Sequence, residues 1–231
     1  MISISIITVN WNSYEWLDVL RTSLELHATY PYDLIVVDNS TNLQLVDFPK
    51  VHMIPQENNI GHGEGLNVGS RYAATLDNQF VMFLDVDCHF LQPGWEEAFS
   101  KLTEKYDVIG GRGVPQKPIR PACMFMKKEF SKYDWSATPG YKGHRVTPDG
   151  FDVAITAYHQ MISDGVKIHL IESKPNHYNT LNGEEWCIDE TPYVYHHWHG
   201  THLAERTVDF PGKNLFADKD VLFSRIPWRQ I

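Results

Sequence analysis

The feature that most constrains this chain is an alternation of short apolar segments with longer amphipathic ones. Strand-like runs occur at 2–9, 33–37, 51–54, 80–84, 107–109, 122–126 and 166–171. Helical periodicity occurs at 13–27, 63–76, 95–106 and 151–163, with Ser13 positioned to cap the first helix. Such alternation is typical of βαβ units. The sequence therefore predicts an α/β fold with a mostly parallel central sheet flanked by helices.

The length favours a single domain over residues 1–231, because 231 residues suit one larger domain and no linker-like stretch divides them. We expect a nucleotide-binding half at 1–110. An acceptor-side half and a C-terminal loop would occupy 111–231. From residue 172 the chain is rich in Asn, Pro, Gly and His, so we predict an irregular segment wrapped onto the sheet.

Charge and cysteine content narrow the classes of function. The formal net charge of −9 argues against a polyanion held by general electrostatics. The three cysteines are widely spaced and form no CxxC motif, so neither a disulfide framework nor a cysteine-type zinc site is expected. No apolar run approaches membrane-spanning length, and the start lacks a signal-peptide pattern. We expect a cytoplasmic protein, with peripheral contact at the inner face of a membrane left open.

Polar side chains follow three of the predicted strands, at 8–12, 38–40 and 85–87. In open α/β sheets, ligands bind outside the carboxyl ends of the strands. Any one of these groups could be a simple turn, but three on one edge favour a ligand site. Asp85 and Asp87 follow a buried strand, and paired carboxylates at such a point suit a hard divalent ion.

Several segments, taken in order, resemble the family 2 glycosyltransferases of the GT-A (Rossmann-like) fold. They are SIITVNWNS, LIVVDNSTN, ENNIGHGEGLNVG, FLDVDCHF, PACMFMKKEF and GFDVAITAYHQMISDGVKI, which together span about residues 2–171. The resemblance implies an inverting enzyme that uses Mn²⁺ or Mg²⁺ to move a sugar from a nucleoside-diphosphate sugar, of UDP or TDP type, to an acceptor hydroxyl. The acceptor stays open: a glycan, a lipid-linked sugar, a small molecule or a modified base. Stable membrane insertion is not expected.

The same resemblance implies roles on the donor side. Thr8 and Asn10 would line the base pocket, and Asp38 would accept a hydrogen bond from the imide of uracil or thymine. A wall around the ribose and diphosphate would come from Asn59, Gly61 and Asn67, with Gly63 and Gly65 allowing a close backbone approach. Asn42 departs from the family pattern, because an acid often stands there. His62, between these glycines, could contact a phosphate or cap the next helix.

The resemblance also implies a metal site and a general base. Asp87 would ligate the metal, and Asp85 would lie near the metal and the sugar. His199 would close the metal site from the C-terminal loop, with His197 and His202 behind it. The base would be Asp152, with Asp149 as the second choice.

Other interpretations remain open. The chain could be an inactive module of the same fold that binds a sugar nucleotide or a glycan. The H-x-H-x-x-H spacing of His197, His199 and His202 could instead form a hydrolase zinc site, or a structural cluster. A basic stretch within 112–132 could bind the diphosphate or an anionic acceptor, or be a solvated face.

Overall fold

The computed structural model describes residues 2–41, 50–114, 117–136, 153–176 and 183–197. Its strands are β1 Ile4–Asn10, β2 Tyr32–Asp38, β3 Val51–Pro55, β4 Phe80–Leu84, β5 Cys88–Phe90, β6 Val108–Val114, β7 Lys117–Lys127, β8 Ile168–Ile171, β9 Ser173–Asn176, β10 Gly183–Ile188 and β11 Thr191–His197. Its helices are α1 Tyr14–His27, α2 His62–Ala73, α3 Trp95–Leu102 and α4 Ile155–Ser163, with a 3₁₀ helix at Lys128–Lys132.

A seven-stranded sheet forms the centre of the molecule, in the order β3-β2-β1-β4-β7-β6-β8. The pairs among β3, β2, β1 and β4 are parallel, and β6 pairs parallel with β8. Only β7 runs antiparallel to its neighbours β4 and β6. The inner strands are buried on both faces, which is why they are nearly continuous apolar runs in the sequence. The predicted mostly parallel α/β sheet is confirmed.

Helices cover both faces of this sheet. On one face, α1 and α3 contribute Trp16, Leu20, Trp95 and Phe99 to the core. On the other, α2 and α4 contribute side chains such as Leu66 and Met161. Among the described helices, none has the length and apolarity that crossing a bilayer requires.

A second sheet, in the order β5-β11-β10-β9, corrects the prediction of a loop after residue 172. Its pairs are antiparallel. The turn between β10 and β11 has two central residues, Asp189 at φ 47° and Glu190 at φ 67°. Positive φ at both is the geometry of a type I′ hairpin turn, which usually contains Asn-Gly. The Asp-Glu pair gave no such signal, so the hairpin was missed.

The helix starts differ from the sequence prediction in two places. Ser13 precedes α1, but its hydroxyl donates to the carbonyl of Trp11 (2.9 Å), so it does not cap the helix with its side chain. The helix predicted at 151–163 begins at Ile155, because Ala154 adopts a left-handed conformation at φ 72°. Residues 151 and 152 lie outside the described residues.

Candidate functional site

The carboxyl ends of β1, β2 and β4 meet at one edge of the central sheet, which we call the carboxyl edge. The parallel register pairs Asn10, at the end of β1, with Asp38, at the end of β2. Asp85 directly follows β4, and its amide donates to the carbonyl of Ala122 on β7 (3.1 Å). The predicted clustering of the three polar groups on one edge is therefore confirmed.

Asp38 is fully buried and organises this edge. Its Oδ1 accepts hydrogen bonds from Asn10 Nδ2 (3.1 Å) and from the amide and hydroxyl of Ser40 (3.0 and 2.5 Å). Its Oδ2 accepts from the hydroxyl of Tyr14 (2.6 Å). Asn10, also buried, accepts from the amide of Ser13 (3.2 Å). The carboxylate is thus already bound by four protein donors, and the sequence had not indicated Tyr14 or Ser40 as partners.

Three buried oxygens near the carboxyl edge have no hydrogen-bond partner within the described part of the chain. They are Thr8 Oγ1, Asn39 Oδ1 and Asp85 Oδ1. Asp85 Oδ1 lies 3.4 Å from His62 Nε2, an ion-pair distance. Buried polar atoms are nearly always hydrogen-bonded. Three such acceptors at one edge are therefore suited to a ligand that brings its own donors or a cation.

The start of α2 borders this edge. Gly61, at φ 83°, is the residue before the helix, and its amide donates to Asn59 Oδ1 (2.9 Å). Its carbonyl accepts from Asn39 Nδ2 (3.3 Å), which leaves Asn39 Oδ1 unbound. His62 is the first helical residue, so it is not the cap.

Asn67, Gly63 and Gly65 connect α2 closely to neighbouring segments of the chain. Asn67 Nδ2 donates to Asp134 (2.9 Å) and its Oδ1 accepts from the amide of Trp135 (2.9 Å), which ties α2 to that segment. A Cβ added at Gly65 would lie 2.7 Å from Val9 Cγ2, and one at Gly63 would lie 2.4 Å from the carbonyl oxygen of Trp135. The close backbone approach predicted at Gly63 and Gly65 is therefore made to other parts of this protein. An approach of the diphosphate to Gly63 and Gly65 stays a prediction.

Asp85, Asp87 and His196 form what we call the acid–histidine cluster. His196 Nε2 lies 3.7 Å from Asp85 Oδ2 and 3.5 Å from Asp87 Oδ1. The antiparallel pairing of β11 with β5 sets this arrangement, because His196 pairs with Cys88, one residue beyond Asp87. Asp87 and Cys88, with His196, can bring three ligand atoms within 4.8 Å of one another. The histidine at the metal was predicted to be His199, which lies outside the described residues.

The charge of His196 depends on carboxylates near both ring nitrogens. Asp85 and Asp87 lie near Nε2, and Glu184 lies near Nδ1. Burial by itself would lower the pKa of His196, but hydrogen bonding to Asp87 and Glu184 raises it to about 10. Glu184 Oε1 lies 3.2 Å from His196 Nδ1 and accepts a hydrogen bond from Arg120 (2.7 Å). Burial would raise the pKa of Glu184, but its hydrogen bonds and the charge of Arg120 lower it. The imidazolium of His196 therefore compensates part of the negative charge of Asp85 and Asp87.

His197 points away from the acid–histidine cluster, since successive side chains of a strand alternate in direction. It pairs with His89, with Nε2 and Nδ1 3.1 Å apart. Burial lowers the pKa of His89 to about 3 and holds the pKa of His197 well below its usual value, so both rings are neutral. The backbone amide of His197 donates to the carbonyl of Asp87 (3.0 Å). His197 is therefore buried in the core beside His89, and the other two histidines of the H-x-H-x-x-H spacing lie outside the described residues.

Several predicted residues lie outside the described part of the chain. They are Asn42, Asp149, Asp152, His199 and His202. Within the basic stretch, Arg112, Arg120 and Lys127 form ion pairs with Glu172, Glu184 and Asp107. These pairs favour a structural role for the three cations over a free anion-binding surface.

Comparison with protein families gives one match that spans most of the chain. The sequence profile described as Glycosyl transferase family 2 matches residues 5–165. That interval contains the carboxyl edge, Asp85 and Asp87, and it ends before the strands of the second sheet that carry Glu184 and His196. A sequence search of curated proteins finds no match.

A solved mannosyltransferase structure shares the fold. The mannosyltransferase PcManGT from Pyrobaculum calidifontis, in complex with GDP-Man and Mn²⁺, is 13% identical with a TM-score of 0.50, over 72% of this chain and 54% of that one. S. aureus TarS 1-349 in complex with UDP-GlcNAc is 23% identical with a TM-score of 0.45, over 57% and 47%. Another TarS structure is matched over only 29% of its length, so this chain spans a fraction of these proteins.

Proposed function

Because this chain belongs to glycosyl transferase family 2, we propose that it transfers a sugar from a nucleoside-diphosphate sugar to an acceptor hydroxyl. The observation that carries the proposal is the acid–histidine cluster, located beside the unpartnered oxygens of the carboxyl edge. We further propose inversion at the anomeric carbon and dependence on a divalent metal ion.

The donor set of the cluster suits a divalent metal ion. Two carboxylates and one imidazole are ligands that Mn²⁺ accepts. Asp85 Oδ1 is buried, accepts no hydrogen bond within the described residues and lies 3.4 Å from His62 Nε2. Asp85, Asp87 and His196 would hold the ion, and His196 would give up its extra proton on binding it. The bound ion would neutralise the charge that develops on the nucleoside-diphosphate leaving group.

The carboxyl edge would bind the nucleoside. Thr8 Oγ1 and Asn39 Oδ1 have no hydrogen-bond partner in the described ranges, and we propose that they accept hydrogen bonds from the base or ribose. We propose that Asp38 contributes by holding Asn10, Ser40 and Tyr14 in place. Asn59 and Gly61, both exposed beside this edge, would border the ribose and diphosphate. A uracil or thymine base is favoured by the family resemblance of the strand ends. PcManGT is in complex with GDP-Man, so a guanine base is the alternative to test.

An inverting transfer needs a base that takes the proton of the acceptor hydroxyl. We propose Asp152, which precedes the first residue of α4 by three positions, with Asp149 as the second choice. The acceptor itself is left open.

Nucleotide binding tests the proposal directly. Thermal unfolding is measured with UDP, TDP, GDP and ADP, each with and without Mn²⁺. A ligand at 100 times its dissociation constant stabilises the folded state by about 2.7 kcal/mol, so we expect a metal-dependent rise of the melting temperature with one pyrimidine or guanine nucleotide. Asp87→Ala should abolish the metal-dependent part, whereas Asp18→Ala on the surface of α1 should keep it. No shift with any nucleotide would contradict the proposal.

Turnover separates an enzyme from an inactive binding module. The nucleotide identified by the unfolding assay defines the donors to test, and release of free nucleoside diphosphate from each sugar derivative is measured with Mn²⁺. We expect slow hydrolysis of one donor even without acceptor, and its loss in Asp87→Ala. Tight binding without any hydrolysis or transfer would favour the inactive module.

A further inference from the structure

We infer that Glu184, anchored by Arg120, is a positioning residue that orients His196 toward the metal ion and thereby sets the metal affinity of the site. The inference rests on the proposed function, in which His196 is a metal ligand. Glu184 is in β10 and Arg120 is in β7.

The two ring nitrogens of His196 face different carboxylates. Glu184 and His196 are direct cross-strand partners in the antiparallel pair β10–β11, a position in which side chains on one face touch. Glu184 Oε1 lies 3.2 Å from His196 Nδ1. The other ring nitrogen, Nε2, faces Asp85 and Asp87. A carboxylate that accepts from one nitrogen fixes the tautomer and orientation in which the other nitrogen binds a metal.

Glu184 is held in place by burial and by Arg120. Its side chain is 2% exposed, and the same oxygen, Oε1, accepts from Arg120 (2.7 Å). Arg120 also lies over Trp186, with its guanidinium carbon 5.9 Å from the ring. Trp186 fits there because Gly111, the strand partner of Arg120, has no Cβ; one would lie 2.4 Å from Trp186 Cη2. Burial and the anchored Arg120 therefore leave the Glu184 carboxylate little freedom to turn.

A purely structural ion pair would predict something different. Glu184 would then only compensate Arg120, and its removal would lower stability without changing metal affinity. The shared oxygen argues against this, because one carboxylate oxygen serves both the cation and the imidazole. The two roles are separable by measuring metal binding and folding on the same variants.

The experiment titrates Mn²⁺ into the full chain and follows free Mn²⁺ by electron paramagnetic resonance, in parallel series with UDP and with GDP. Loss of an outer-shell partner typically weakens metal binding by 10- to 100-fold, so we expect Glu184→Gln to raise the Mn²⁺ dissociation constant about tenfold or more. The matched control is Glu185→Gln, the next residue of β10, which points to the opposite face and should leave the constant unchanged.

A double-mutant comparison distinguishes positioning from a general effect. His196→Ala should weaken Mn²⁺ binding, and adding Glu184→Gln to it should have no further effect, because the two residues act as one unit. An equal effect of Glu184→Gln with and without His196, or no effect at all, would overturn the inference alone. Unchanged Mn²⁺ binding in His196→Ala would overturn the metal assignment in the proposed function, and the inference with it.

A second variant covers the case in which Glu184→Gln does not fold, as judged by near-ultraviolet circular dichroism. Arg120→Met removes the anchor of Glu184 but leaves its carboxylate and His196 in place. We expect Mn²⁺ affinity to fall at least about threefold in this variant. Lys127→Met breaks the ion pair to Asp107 farther along the same strand and should leave the affinity unchanged. Equal affinities in the two variants would overturn the inference.

Discussion

At the scale of the residue, the polar groups of the carboxyl edge differ in how many hydrogen bonds the described protein residues supply to them. Asp38 has four protein donors, whereas Thr8, Asn39 and Asp85 each keep a buried oxygen that has no hydrogen-bond partner among the described residues. A saturated carboxylate stabilises the fold and orients its neighbours. An unsaturated acceptor carries a desolvation cost of about 1–3 kcal/mol that a bound ligand can remove. The hydrogen bonds therefore distinguish residues that stabilise the fold from residues suited to bind a ligand, whereas the residue types in the sequence do not.

The buried pair His89–His197 predicts a dependence of stability on pH. Folded His89 stays neutral until pH falls to about 3, whereas an unfolded histidine binds a proton near pH 6.5. The unfolded state thus binds more protons below pH 6.5, and stability falls as pH falls. Each histidine contributes a slope that approaches about 1.4 kcal/mol per pH unit. His196, with a raised pKa, is charged in both states there and adds little.

Urea unfolding between pH 6.5 and 5 checks this expectation. In the wild-type chain, the free energy of unfolding should decrease toward pH 5. His89→Gln should reduce the slope by about one proton, because one buried neutral histidine is gone. Unchanged slopes in the variant and the wild type would show that His89 is not the titrating group.

At the scale of the element, the sequence predicted the strands and helices that carry a local periodic pattern. It did not predict strands that depend on pairing with other strands. Strands β1, β2 and β4 and helices α1 and α2 carry their own periodic pattern, and the sequence predicted each within a few residues. Strand β9 (SKPN) is polar, and β10 and β11 are joined by a turn without a glycine, so no local pattern marked them. Asp85 and Asp87 follow a predicted strand, so the sequence indicated them as candidate site residues. His196 and Glu184 belong to the missed strands and were not among those candidates.

The packing of α2 on β1 gives a prediction at this scale. Gly65→Ala would place a methyl group 2.7 Å from Val9 Cγ2. Overpacking of this kind costs about 1–3 kcal/mol, of which the better helix propensity of alanine returns up to about 1 kcal/mol. We therefore expect a net loss of stability on chemical unfolding.

A compensating change tests the cause. Val9→Ala removes the two methyl groups that the new Cβ would meet. The double variant should be more stable than the sum of the two single changes implies, because the clash is absent. Additive losses would mean that Gly65 is needed for some reason other than contact with Val9.

At the scale of the whole molecule, the proposed metal site joins two sheets. Asp85 and Asp87 follow a strand of the central sheet, whereas His196 belongs to the second sheet. The amide of His197 donates to the carbonyl of Asp87, which extends the pairing of β11 with β5 up to the residues that follow β4. A ligand bound to both sides should therefore couple their stability.

Hydrogen exchange measures this coupling. With Mn²⁺ and the nucleotide that binds, we expect the amides of β5 and β11 to exchange at least about tenfold more slowly, since binding opposes separation of the sheets. Strand β8, at the far edge of the central sheet, serves as the internal reference and should change less. Uniform slowing over all strands would indicate global stabilisation without a bridge between the sheets.

The turn at Asp189 and Glu190 also offers an attachment point for a spectroscopic probe. Both residues are exposed, and the turn lies at the opposite end of the hairpin from His196, about 15–20 Å away at the usual strand rise. All three native cysteines are buried, and burial raises the pKa of each thiol, which makes them slow to react. A cysteine introduced by Glu190→Cys can therefore be labelled selectively, so that movement of the histidine-bearing hairpin becomes visible without altering the site.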